Sequence, residues 1–207
     1  MSADIRTDWD CVAFTHTRGW EKRDKADDTL PGFPELLRWA AARDLIHGLD
    51  LATLARRAAE HPEETHGVMA RARALRETIY RVLAPIGAGG APEPEALEQL
   101  NKVWRSVALQ RRLVADGTRY RWTWREVTAA DAPLDRVLWP LVQSAVELLT
   151  APELERLKLC DADDCGWLFI DASRNRSRRW CDMSDCGNRA KVRRFRARQG
   201  GEEARAG

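Results

Sequence analysis

Cys160, Cys165, Cys181 and Cys186 are spaced C-x4-C-x15-C-x4-C. Each pair is close enough along the chain for both sulfurs to reach one ion, and the gap between the pairs fits a hairpin. Four thiolates satisfy the tetrahedral preference of zinc, which has no redox chemistry and keeps no open position once ringed by four ligands. Four intervening residues lie at the wide end of usual metal spacings, but here the same spacing occurs twice. The expectation is one structural zinc ion. Buried free thiols, disulfides, an iron–sulfur cluster and a redox switch are the other uses of such cysteines. Disulfides fit poorly with the reducing interior of a cell. Cys11, far upstream, reads as a core thiol.

The second pair heads a densely basic run. Between Arg174 and Arg198 ten Arg and Lys residues face two acids, Asp182 and Asp185. That is a local charge of +8 in a chain whose total is +2, so the remainder carries −6. A basic end on an acidic body points to a polyanion partner. The plainer readings are a solvated helix face, or a tail docked on the chain's own acidic body.

Elements must hold these residues in place. Trp167–Ile170 reads as a strand, residues 171–178 as a polar connection, and Arg179–Cys181 as the returning strand. The second cysteine pair then opens a helix, with Asp185 at its start. A knuckle, a hairpin and a helix whose first turn supplies the last ligands make a treble clef. Val192 and Phe195 should face the hairpin. Arg189, Arg193 and Arg196 flank them on one side, and Lys191, Arg194 and Arg198 on the other. A module of about 45 residues has little core and leans on its metal. Pinned in this way, Arg174, Arg176, Arg178, Arg179, Arg189, Lys191, Arg193, Arg194 and Arg196 can meet phosphates or guanine edges. Asn188 caps or orients the helix, or reaches a base. DNA is the expected partner; RNA also suits arginines, which stack on bases.

Upstream, the pattern is mostly helical. Cys11–Phe14 reads as a short buried strand. Helical stretches follow in "FPELLRWAAARDL", in "LATLARRAAEH" with Asp50 as its N-cap, and from Pro62 through Val82. A Gly/Pro-rich loop spans 84–94, and a helix runs from about Glu95 to Ser106. "LQRRLVADGTRYRWTW" reads as a hairpin turning at Asp116-Gly117. Tyr120, Trp122 and Trp124 form its aromatic face; Trp122 and Trp124 are expected to be core, as are Trp39, Trp104 and Trp139. Leu134 to Leu149 make one apolar helix, which Pro140 should kink. The fold class is therefore α+β: a mostly helical N-terminal domain with a small hairpin over 1–155, then a treble-clef finger over 156–200.

The finger resembles the CGNR zinc-finger family. The resemblance rests on Cys186-Gly187-Asn188-Arg189, on the "SRRWC" before it, and on Phe169, Asp171, Ser173, Arg174 and Asn175 in F-x-D-x-S-R-N. More weakly, "RALRETIY", "LWPLVQSAVELL" and the opening segment resemble the ABATE domain that the family typically carries upstream. This resemblance implies a DNA-binding treble clef behind an α+β domain that binds an unidentified small molecule, in stress-induced transcription regulators. One departure stands out: the family tends to read Phe-Val-Asn-Thr-Arg where this chain has Phe14-Thr15-His16-Thr17-Arg18. His16 and Arg18 are the candidate ligand-pocket residues.

No catalytic constellation is visible. His16, His47, His61 and His66 form no metal-hydrolase motif, and Gly87–Gly90 lacks the ending of a phosphate loop. The chain is expected to be no enzyme. The opening residues lack a signal-peptide pattern, and no apolar run reaches the length of a membrane span. A cytoplasmic zinc-dependent regulator, with an upstream domain that senses a ligand or joins two copies of the chain, is the leading expectation. An adaptor finger binding a protein or RNA partner is the alternative.

Overall fold

A computed structural model of the chain describes residues 8–19, 28–46, 51–128 and 132–203, with the side chains of Phe195 and of 197–203 excepted. His47, Asp50 and Arg198 fall outside this description. Seven α-helices and two two-stranded sheets are formed among the described residues, giving the expected α+β class.

The opening segment is a helix, α1 (Asp10–Thr15), and not the expected strand. Cys11, Val12, Phe14 and Thr15 are all buried. A helix of under two turns that is covered on every side shows the same unbroken apolar run as a buried strand, so the pattern could not separate them. Asp10 and Asp8 both accept from the guanidinium of Arg43, at 2.9 and 2.5 Å.

Two helices follow, α2 (Phe33–Ala42) and α3 (Leu51–Glu60). The longest element is α4 (Pro62–Gly87). Pro62 sits in its first turn, where no N–H is needed, and Glu63 and Glu64 favour the same end. Val68, Ala72, Leu75, Ile79 and Val82 are its buried stripe. Arg76 is buried on this helix too, paired through both terminal nitrogens with Asp28 and donating to Thr17. Helix α5 (Pro94–Ala108) leads into a hairpin of β1 (Arg111–Asp116) and β2 (Arg119–Trp124). Gly117, with φ +60°, opens the two-residue turn.

Opposed residues share a face, so Arg111 and Leu113 lie with Trp124, Trp122 and Tyr120. Only the root of that face is core. Trp124 meets Trp139 at 5.7 Å, whereas Trp122 and Tyr120 are 60% and 74% exposed. Of the helical tryptophans, Trp139 is buried, while Trp39 and Trp104 are half-buried against the core.

The apolar stretch from Leu134 does not form one kinked helix. A 3-10 turn (Leu134–Leu138) precedes α6 (Trp139–Thr150), and Pro140 stands in the first turn of α6. Its missing N–H costs nothing there. After a second 3-10 turn, Pro152–Arg156, come β3 (Leu157–Leu159) and β4 (Leu168–Ile170), paired antiparallel. The expected partner of β4 was Arg179–Cys181. The actual one is β3, upstream of the first cysteine. A π-turn (Met183–Gly187) then opens α7 (Asn188–Glu203).

Leu157, Leu168 and Ile170 belong to the same hydrophobic core as α1, α2, α4, α5 and α6. A Cβ placed on Gly87 would stand 2.8 Å from the backbone nitrogen of Leu159 and 2.9 Å from the carbonyl carbon of Lys158. Glycine there lets the end of α4 touch the β3 backbone.

Candidate metal centre

The four sulfurs converge although the two pairs are far apart in sequence. The knuckle between β3 and β4 presents Cys160 and Cys165, and turns through a bond from Cys165 N–H to the Ala162 carbonyl (3.0 Å). Cys181 precedes the π-turn and Cys186 lies within it. Asp182 caps this turn, accepting from the N–H groups of Ser184 and Asp185, and Asp185 lies in its first turn. All four Sγ atoms lie within 4.8 Å of one another. Cys181 Sγ is 3.8 Å from Cys165 Sγ and 3.6 Å from Cys186 Sγ. Zinc with four sulfurs at about 2.3 Å needs sulfur separations of about 3.8 Å, so the donor set fits one zinc ion. No other cluster of metal-ligating side chains occurs among the described residues.

The thiol of Cys181 donates to Cys165, holding Cys165 down at about 6, and Cys181 itself is pushed strongly up in consequence. Burial, first of all, pushes Cys186 up to about 12. A bound cation displaces these protons. Two N–H groups point at sulfur: the backbone of Cys181 to Cys160 Sγ (3.4 Å), and Arg189 to Cys186 Sγ (3.2 Å). Both would offset part of the negative charge of four thiolates around zinc.

Behind the sulfurs, Asp171 organises the arginine loop. Its side chain is fully buried and accepts from Lys158 Nζ (2.7 Å), Ser173 N–H (2.9 Å), Ser173 Oγ (2.5 Å) and Arg178 N–H (2.9 Å). Burial alone would raise its pKa; Lys158 and the Ser173 and Arg178 donors outweigh it and hold the carboxyl far below the usual carboxylate range. Lys158 Nζ also donates to the carbonyls of Arg176 and Arg178, and Arg156 to those of Asp171 and Ser173. Nothing in the spacing of the sequence singled out Lys158 or Arg156. Their signal is position: Arg156 immediately precedes β3 and Lys158 is its central residue, opposite the loop they tie down.

His16 and Arg18, the candidate pocket residues, have different partners. His16 ends α1, stacks on Trp167 (4.5 Å, 9° between rings), and its Nε2 lies 2.8 Å from the Leu168 carbonyl. Burial, more than any other cause, lowers its pKa. Arg18 pairs with Glu77 at 2.9 Å. The two thus stand at a seam: His16 joins α1 to the strand after the knuckle, as Tyr80 of α4 joins it by donating to the Gly166 carbonyl (2.9 Å).

Two family profiles match the chain. The CGNR zinc finger matches residues 156–199, and ABATE, described as "Putative stress-induced transcription regulator", matches residues 11–152. The chain belongs to the ABATE family. Its C-terminal part is a CGNR zinc finger, and the four clustered cysteines are that finger's structural zinc site. No curated protein matches the chain. Neither profile describes an enzyme family. No described helix is long and apolar enough to cross a membrane.

Within this CGNR finger the cations divide into three groups. Arg178 and Arg189 hold the frame. Arg178 lies over the Phe169 ring at 4.9 Å and donates to the Trp180 and Cys181 carbonyls. Arg189 pairs with Asp185 (2.5 Å) and Asp164 (3.6 Å) beside Cys186. Arg176, Arg179 and Arg193 are partly exposed and paired with Glu155, Asp161 and Asp163/Asp164 respectively. Arg174, Lys191, Arg194 and Arg196 are exposed and have no ion-pair partner among the described residues. Asn188 donates to the Ser184 carbonyl at 2.7 Å, which ties α7 to the π-turn. Val192 is 48% exposed and does not face the hairpin.

The partners of Arg179 and Arg193 were legible in "CDADDC": Asp161, Asp163 and Asp164 lie between the first two cysteines, outside the basic run.

Proposed function

We propose that the chain is a zinc-dependent, DNA-binding transcription regulator acting in the cytoplasm in stress responses. Its CGNR finger would work as a treble clef, and its ABATE domain would sense a small molecule. The observation that carries this reading is the set of open cations on the metal-held frame: Arg174 on the loop that Asp171 fixes, and Lys191, Arg194 and Arg196 on α7. Arg176 and Arg179 would exchange exposed carboxylate partners for phosphates, a replacement of one charge-assisted bond by another, and Arg193 would do so from exposed Asp163 and half-buried Asp164. Arg178, Arg189 and Asn188 would act by holding the frame.

A salt-titrated gel shift with genomic fragments tests the proposal. The zinc-loaded chain should bind, and the logarithm of affinity should fall with that of salt at about 0.9 per phosphate neutralised. Changing Arg194 and Arg196 together to Glu should abolish the shift, while Arg174→Gln should reduce the slope by about one. Absence of binding at low salt would transfer the reading to an adaptor finger for a protein or RNA partner.

A further inference from the structure

Trp122 is a large apolar side chain left exposed on the hairpin face whose root, at Trp124, packs against Trp139 of α6. It overhangs a groove of about 530 Å³, whose other walls include Trp104 of α5 and Val146 and Glu147 of α6. Arg111 lies at the groove's inner end. Its guanidinium carbon is 5.2 Å from the Trp122 ring centre and 4.9 Å from that of Trp124, and it donates to Gln143 Oε1. Among the described residues no carboxylate forms an ion pair with it. Burial lowers its pKa, opposed by the charge of Glu147. A stacked, partly desolvated guanidinium that makes no ion pair can offer its fork to an anion.

We propose that this groove binds a planar aromatic monocarboxylate, with its ring against Trp122 and Trp104 and its carboxylate on Arg111. Indole faces favour flat rings, the guanidinium fork matches a carboxylate, and the volume suits a small ligand. Glu147 in the same wall repels a second negative charge, so dianions are disfavoured. This gives the sensing role proposed for the ABATE domain a place and a chemistry, and rests on that reading.

Isothermal titration of the zinc-loaded full chain with naphthoate, naphthamide and naphthalene dicarboxylate tests it. Naphthoate should bind with saturation, and the other two at least about tenfold more weakly. Arg111→Gln and Trp122→Ala should each weaken naphthoate by at least about tenfold. Trp122 is exposed, so its variant should keep the wild-type thermal midpoint and remains informative if Arg111→Gln fails to fold. Lack of saturable binding at millimolar naphthoate, equal binding of the amide, or unchanged binding by Trp122→Ala would overturn the proposal. The titration contains no DNA, so its failure leaves the DNA reading standing, and a failed gel shift leaves this site standing.

Discussion

Asp171 shows how one carboxylate can set a surface it never reaches. It is buried beneath the loop whose arginines face solvent, and its four donors come from β3 and from the loop itself. Replacing it with Asn removes the charge that compensates Lys158 and leaves an ammonium among carbonyls. Asp171→Asn should cost about 3 kcal/mol, since one partner of a buried pair is lost. Denaturant midpoints at neutral pH measure this. An unchanged midpoint would mean that Lys158 finds water instead. At the same scale, the sulfurs were readable because metal geometry constrains spacing directly. The roles of the arginines were not, because an arginine's partner is set by folding. Arg189 and Arg193 look alike in sequence, yet one braces Cys186 and the other pairs at the rim.

At the scale of elements, α4 links the two halves. Gly87 marks its closest approach to β3, where backbone atoms leave no room to yield. Gly87→Ala should destabilise the protein by about 2 kcal/mol through overpacking. Gly67→Ala on the same helix meets only the flexible end of Arg71 at 3.5 Å. That change should be neutral or stabilise by up to about 1 kcal/mol, as alanine suits helices better than glycine. In thermal melts the Gly87→Ala midpoint should fall, while that of Gly67→Ala should stay level or rise. Elements were legible where a local signal fixes them: Pro62 at a helix start, Gly117 at a hairpin turn. They were misread where neighbours decide. Four apolar residues at Cys11–Phe14 fit strand or helix, and β3 is recruited by α4 and β4, with only three residues of its own pattern.

At the scale of the whole molecule, the finger's hairpin is part of the main core, so metal and body should melt together. Chelating zinc should lower the single thermal midpoint by more than about 10 °C, since zinc sites supply several kcal/mol and each is worth about 2–4 °C at this size. Two separate transitions, with only a small one moved by chelator, would contradict a shared core. The seam at His16 adds a pH dependence. Burial depresses its pKa in the folded protein, so the unfolded chain binds the proton more tightly. The neutral ring's contribution is complete above about pH 6.5, shrinks below it, and is gone once pH has fallen through the depressed folded value. Between pH 7.5 and 5.5 the wild-type midpoint should therefore fall more steeply than that of His16→Gln.

The core membership of Leu157, Leu168 and Ile170 also bears on transplantation. A fragment cut out at residue 156 would carry three greasy side chains with nothing to lie on. Grafting this finger onto another carrier would demand a seat shaped like the end of α4, so its boundaries in sequence are not its boundaries as a movable part.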